Sequence, residues 1–179
     1  MNNKEIELKF IINQEKRKMI EDNLKNTAKF ESEKRQIDTY YIPNFKSFER
    51  NGETQECLRI RESNGKTILC YKYIHRDADP VYCDEYELEL SNKESMEKIL
   101  FALGFSVQMI IDKVRKTYSY ENFEFDLDCV NGALDLFEVE LKDNNASVDT
   151  ILEFVKKYGL TREDVTYRGI QLLVKDLGL

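Results

Sequence analysis

Along much of this chain, ionic and apolar residues alternate one by one. In Glu5-Ile6-Glu7-Leu8-Lys9-Phe10 the charged residues share one face of an extended segment, and Ile6, Leu8 and Phe10 share the other, because successive side chains of a strand point to opposite sides. The same period returns at Gln36-Ile37-Asp38-Thr39-Tyr40-Tyr41, at Leu58-Arg59-Ile60-Arg61, over residues 67–74 with Lys72, and over 81–90 with Glu85, Glu87 and Glu89. It returns again around Lys113 and Arg115, in Phe123-Glu124-Phe125-Asp126-Leu127-Asp128 and in Leu136-Phe137-Glu138-Val139-Glu140-Leu141. These segments predict eight strands. Asn64-Gly65 is a two-residue hairpin signal joining the third and fourth, and Asn51-Gly52 marks a turn in the polar loop after Pro43.

Four stretches carry a helical signature instead. Asn13 can cap a helix over 14–26 with Met19, Ile20 and Leu24 on one stripe, and Ser91-Asn92-Lys93-Glu94 is a capping box for a helix that stops at Gly104. Two more helices are predicted over 148–158, with Gly159 after it, and over 162–176. Strands that mostly meet at turns, with helices inserted between some of them, fit an α+β fold: an eight-stranded antiparallel β-barrel, closed or nearly closed, flanked by helices. The 179 residues are read as one domain, 1–179.

Two layouts satisfy the alternation. The charged faces can look outward over an ordinary core, or they can line a wet interior while Ile6, Leu8, Leu58, Ile60, Leu88, Phe125, Phe137 and Val139 pack under the helices. A solvated face tends to mix signs, whereas here most strands carry one sign: Arg59/Arg61, Glu85/Glu87/Glu89, Lys113/Arg115, Asp126/Asp128 and Glu138/Glu140. Segregated charge repels itself unless opposite charge sits between, which favours the inward layout. Carboxylates from several strands are the ligands that hard divalent cations take, and the bases match phosphate oxygens. Together they point to a polyphosphate ligand with Mg²⁺ or Mn²⁺.

Composition narrows the alternatives. The net charge of −7 argues against a nucleic-acid or membrane-surface binder, and no apolar run is long enough to span a bilayer, so a cytoplasmic protein is expected. Cys57, Cys70, Cys83 and Cys129 are scattered and read as free thiols. His75 stands alone and reads as a solvated loop residue, which leaves little for histidine-based metal or nucleophile chemistry. The sequence does not distinguish monomer from homodimer.

Glu5-x-Glu7-x-Lys9 resembles the N-terminal signature of the CYTH domain, the fold of the triphosphate tunnel metalloenzymes. The resemblance continues in order through Gln36-x-Asp38-x-Tyr40-Tyr41, Leu58-Arg59-Ile60-Arg61, Lys72, Glu85-x-Glu87-x-Glu89, Lys113-x-Arg115, Asp128-x-Val130-x-Gly132 and Glu138-x-Glu140. Two departures, Leu134 where the family has glycine and Tyr73-Ile74 after Lys72 in place of Gly-Pro, are expected to alter loop shape at the tunnel mouth, and with it substrate preference, more than the metal chemistry. The resemblance implies metal ligands at Glu5, Glu7, Glu138 and Glu140, with Asp128 and one or more of Glu85, Glu87 and Glu89 completing a second metal or water site; Glu87, Glu89 and Asp128 would be the catalytic set. Lys9, Arg59, Arg61, Lys72, Lys113 and Arg115 would hold the phosphates. It implies a metal-dependent triphosphatase acting on tripolyphosphate, thiamine triphosphate or a nucleoside triphosphate. A class IV adenylate cyclase and a polyphosphate-binding module without turnover are the alternatives.

Overall fold

The eight predicted strands all form, and several run longer than the alternation marks. The computed structural model describes residues 4–78, 81–142 and 147–179, with Lys4 and Glu5 described by backbone alone. In chain order the elements are β1 (Lys4–Glu5), β2 (Glu7–Ile12), α1 (Gln14–Thr27), β3 (Lys29–Pro43), β4 (Glu49–Arg50), β5 (Glu53–Thr54), β6 (Glu56–Ser63), β7 (Lys66–His75) and β8 (Tyr82–Glu89). Then follow α2 (Lys93–Ala102), β9 (Phe105–Tyr120), β10 (Phe123–Val130), β11 (Leu134–Leu141), α3 (Val148–Val155) and α4 (Ile170–Leu177). The turns that close the hairpins behave as their residues dictate. Asn51, Asn64 and Asn131 adopt positive φ, each followed by a positive-φ glycine, which is the conformation that suits Asn-Gly to a two-residue connection. The pair β4 and β5 is a short hairpin built on Asn51-Gly52 inside the predicted loop.

The chain divides into two compact units, one of residues 35–112 with 168–179 and one of residues 4–34 with 113–167, the divisions falling inside β3 and β9. In the first unit the strand order is β8-β7-β6-β3, antiparallel throughout. One face of this sheet sends Tyr41, Leu58 and Ile60 into a core closed by Phe48 and by Leu100 of α2. Asn92 caps α2, accepting from the Ser95 N–H. In the second unit the order is β9-β10-β11-β2, and its apolar face carries Leu8, Phe10, Phe125, Leu127, Phe137 and Val139, all buried. Phe125 stacks on Phe154 of α3 with centroids 4.8 Å apart, and Tyr158 stands edge-on to Phe137 at 5.9 Å.

Part of the opposite, ionic face is also withdrawn from solvent in each unit, although Glu87 and Glu89 on β8 are exposed. Asp38 and Asp128 are 0 % exposed and Lys113 is 3 % exposed, so the layout with charges in bulk water does not hold for these side chains. Three expectations need correction. Leu88 is not packed under a helix but 58 % exposed: it sits one residue from the end of β8, where its cross-strand neighbour Leu69 covers only part of it. The single helix over 162–176 is broken: a 3-10 turn at Arg162–Asp164 gives way to extended backbone, where Val165 bridges Phe10 and the Thr166 N–H donates to the Lys9 carbonyl at 2.8 Å. The helix then restarts at Ile170, after Gly169, where a Cβ would lie 2.3 Å from the Thr54 hydroxyl. His75 ends β7 instead of lying in a loop, with Nε2 2.7 Å from Asp84 and its ring stacked on Tyr82. All four cysteines are free thiols, and no helix among the described residues is long and apolar enough to cross a membrane.

Ile60 is fully buried and Leu88 is not, so truncation should separate them. Ile60→Ala is expected to cost about 2–5 kcal/mol in urea denaturation, and Leu88→Ala about 0.5 kcal/mol or less.

Candidate functional site

Strand alternation and register together decide which side chains of the ionic faces meet. In the first unit, Asp38 lies directly across from Arg61, Tyr40 from Arg59, Arg59 from Cys70, Cys70 from Glu87, and Lys72 from Glu85. Arg61 grips Asp38 with both arms of its fork, Nε to Oδ1 at 2.7 Å and Nη2 to Oδ2 at 2.8 Å. Lys72 lies 3.2 Å from Glu85, and the Cys70 thiol donates to the same carboxylate at 3.1 Å. Burial raises the Cys70 thiol to about 12, with Arg59 opposing the rise and Glu85 adding to it.

Arg59 differs from its neighbours. Its ion pairs to Asp38 and Glu85 are 3.7 and 3.9 Å long, beyond hydrogen-bonding distance, and its Nε is buried with no hydrogen-bond partner. Burial is the largest single influence and works against its charge, but Asp38, Tyr40, Cys70 and Cys57 together outweigh it and keep the guanidinium protonated. Gln36 lies on the same face two residues before Asp38; it is 7 % exposed and its Oε1 also has no partner.

In the second unit the register builds three rows across β2, β11, β10 and β9. The first is Glu7, Glu140 and Glu124; the second Lys9, Glu138, Asp126 and Thr117; the third brings Asp128 opposite Arg115. Asp128 is bound at Oδ2 by Lys113 at 2.7 Å and through both oxygens by Arg115 at 2.6 and 2.7 Å. Arg115 also reaches Asp126 and Glu138, each at 2.5 Å, and Lys9 meets Glu138 at 3.1 Å. Burial alone would raise the carboxyls of Glu138 and Asp128, but the cations around them hold both below the usual range. At Asp126 the balance reverses: burial lifts it to about 6 against the pull of Arg115, with the charge of Glu138 adding to the rise. Behind the sheet, Arg17 of α1 donates to the Asp128 carbonyl at 2.7 Å and to Asp135 at 2.9 Å, fixing that strand from its apolar side.

The expected site residues thus gather as two sets. Arg59, Arg61, Lys72, Glu85 and Glu87 share the ionic face of the first unit, and Glu7, Lys9, Lys113, Arg115, Asp128, Glu138 and Glu140 share that of the second. Glu89 is on the same face as Glu87 but at the strand's end, 3.2 Å from Lys66 and largely solvated. The side chain of Glu5 lies outside the described residues. Among the residues of these faces that received no individual role from the sequence are Gln36, Asp38, Tyr40, Glu124 and Asp126. Each was nonetheless marked by its two-residue spacing from a charged neighbour.

The donor set suits a divalent cation. Glu7 and Glu124 flank Glu140 directly across their ladders, and like charges opposite one another are unfavourable without a cation between them. Lys142 supplies part of it, at 2.8 Å from Glu140 and 3.1 Å from Glu124. The row offers only oxygens, the preference of Mg²⁺ or Mn²⁺. In the first unit, Cys70, Glu85 and Glu87 place donor atoms within 4.8 Å of one another, close enough to hold a metal ion.

Paired bases and acids thus line one face of each unit's antiparallel sheet, with an apolar face opposite. The chain belongs to the CYTH domain family, whose model matches residues 3–170. A protein of Methanocaldococcus jannaschii named "Putative adenylate cyclase MJ0240" is 29 % identical over 166 residues, covering 90 % of this chain and 93 % of the relative. The structure of the PH1012 protein from Pyrococcus horikoshii superposes with a TM-score of 0.77 at 30 % identity, covering 94 % of this chain and 98 % of that one. The PH1819 protein of the same organism gives 0.76 at 26 %, covering 97 % of each.

Asp128 anchors two buried cations, so Asp128→Asn is expected to destabilise the protein by about 3–5 kcal/mol at pH 7. Its folded-state pKa lies below the unfolded value near 4. The stabilisation is therefore complete above that value and lost as pH falls through the folded one. Urea denaturation across pH 7 to 3 should show the gap between wild type and variant narrowing on acidification.

Proposed function

We propose that this chain is a divalent-metal-dependent enzyme acting on a triphosphate, with hydrolysis of the terminal phosphoryl group as its main reaction. The observation that carries the reading is Arg59, a cation 12 % exposed with its Nε fully buried, whose fork makes no hydrogen bond to any described residue. A planar guanidinium with unspent donors suits phosphate oxygens. Asp38 and Asp128 act as positioning residues: each holds bases of the adjacent strand in fixed rotamers, so the phosphate grip is formed before substrate arrives.

Lys9, Arg59, Arg61, Lys72, Lys113 and Arg115 are assigned to the phosphates, Lys113 indirectly because its ammonium is buried against Asp128. Glu7, Glu138 and Glu140, with Glu5, are assigned to the cation. A bound Mg²⁺ or Mn²⁺ would neutralise phosphate charge and lower the pKa of a bound water. Of the three acids expected to be catalytic, Glu87 is best placed to orient the attacking water: it shares a row with Arg59 and Cys70. Asp128 has both oxygens engaged and Glu89 lies against Lys66 at the strand's end. In the hydrolysis, the water oxygen bonds to the terminal phosphorus as the bridging P–O bond breaks, and the water's proton passes to solvent by way of Glu87.

A second reading is supported by the name of the Methanocaldococcus jannaschii relative. In an adenylate cyclase the ribose 3′-hydroxyl attacks the α-phosphorus and pyrophosphate leaves. Incubation of tripolyphosphate, thiamine triphosphate and ATP with Mg²⁺ or Mn²⁺, scored for phosphate, pyrophosphate and cyclic AMP, separates the two. Phosphate release is expected, cyclic AMP with pyrophosphate would establish the cyclase, and metal-dependent binding without product would mark a binding module.

EDTA should abolish turnover and either metal should restore it. Glu138→Gln is expected to lower kcat at least about a hundredfold. Arg59→Ala should raise KM roughly tenfold or more with a smaller change in kcat, the scale of a lost charge-assisted hydrogen bond.

A further inference from the structure

We infer that Gln36 is a specificity residue that accepts a hydrogen bond from the group esterified to the phosphate chain, which makes the substrate a triphosphate ester bearing an N–H or O–H donor, such as a nucleoside triphosphate, and not inorganic tripolyphosphate. This rests on the triphosphate reading above and goes beyond it by naming the substrate class.

Gln36 is more than nine-tenths buried, and its Oε1 has no hydrogen-bond partner. Such an orphan acceptor is costly unless something completes it. Its place on β3 sets the direction. Residues 36, 38 and 40 fall on one face of the strand, so the amide stands on the ionic face beside Asp38 and Tyr40, whose cross-strand neighbours are Arg61 and Arg59. It does not belong to the apolar core of Tyr41, Leu58 and Ile60 on the other side.

The two orphans on this face are chemically opposite. Arg59 Nε is a donor in want of an acceptor, which a phosphate oxygen supplies; Gln36 Oε1 is an acceptor in want of a donor. An ionised tripolyphosphate carries only acceptors and would meet Gln36 with like partial charge. A nucleoside triphosphate carries both kinds of group, oxygens along the chain and N–H or O–H donors on the base and sugar. Gln36 lies four residues along β3 from Tyr40, about 13 Å at the rise of a strand, which sets the acceptor apart from the Arg59 row.

The test compares ATP with tripolyphosphate on wild type and Gln36→Leu, using kcat/KM where substrate turns over and calorimetric Kd where it does not. Gln36→Met serves as a second variant of similar length, and the thermal midpoint of each is recorded. Removal of the acceptor is expected to weaken ATP by about tenfold or more while tripolyphosphate stays within about twofold, a result that also certifies an intact site. Parallel runs with purine riboside triphosphate, 2′-deoxy-ATP and 3′-deoxy-ATP on wild type identify the donor, since the analogue lacking it loses the same factor. Equal losses for both ligands, no loss for either, or a loss confined to tripolyphosphate would overturn the assignment, the last by showing that the amide serves phosphate through its N–H₂. Turnover of tripolyphosphate with ATP refused would overturn it and leave the triphosphatase standing. Failure of the wild type to bind either ligand would end both readings.

Discussion

A carboxylate without access to water, held by two cations of the adjacent strand, occurs once in each unit and governs what the ionic faces can do. Asp38 sits directly across from Arg61 and also pairs with Arg59, two residues earlier; Asp128 sits directly across from Arg115 and also binds Lys113, two residues earlier. Moving charges of either sign out of water is costly, and their mutual attraction offsets that cost only where geometry is good and the remaining donors are satisfied. Arg61 and Arg115 meet that condition through two-pronged contacts below 3 Å. The consequence for function is rigidity. A long basic side chain on a solvated strand samples many rotamers and loses that freedom on binding an anion, whereas a base already fixed by a buried carboxylate has given it up during folding.

The same constraint explains why the six bases, equivalent in the sequence, are unequal in the structure. Lys113 and Arg61 are largely committed to aspartates. Arg115 is shared among three carboxylates, so any change of protonation among them is felt by all. Arg59 alone combines burial, retained charge and unspent donors among the described bases of the two faces. A count of charges along the strands cannot reveal this division, because it depends on which side chain stands across the ladder and on whether it reaches.

The strands themselves were legible because one face of each sheet packs an apolar core while the other carries paired charges, so the two-residue period is unbroken at Ile6 to Phe10, at Leu58 to Arg61 and at Phe137 to Leu141. Where one face is undemanding, the period fades. The first seven residues of β3, Lys29–Arg35, are mostly exposed and polar on both sides, and so the strand's true start was invisible. The C-terminal break has another cause. Residues 162–176 carry acceptable helix formers, but Val165 and Thr166 gain strand-like bonds to Phe10 and Lys9, a tertiary preference that no local pattern records. Asp38 shows the matching limit for the site. Its spacing from Gln36 and Tyr40 placed it on a strand face, but only the register with Arg61 makes it a clamp.

Hydrolysis and cyclisation make similar demands on the charges described here, since both need a gripped phosphate chain and neutralised oxygens. They differ in which phosphorus is presented to the nucleophile and in what supplies the attacking oxygen. That choice is one of placement along the chain of phosphates, and charge alone is indifferent to it, because every phosphoryl group offers similar oxygens to an arginine. Neutral polar groups are not indifferent: an amide acceptor can be satisfied by a hydroxyl or an amine and by no part of an ionised phosphate. On the ionic face of the first unit, the buried amide of Gln36 and the open fork of Arg59 ask for different chemistry at different positions. On the proposed reading they would give a bound triphosphate a direction, which is what any selection between the terminal and the α-phosphorus requires.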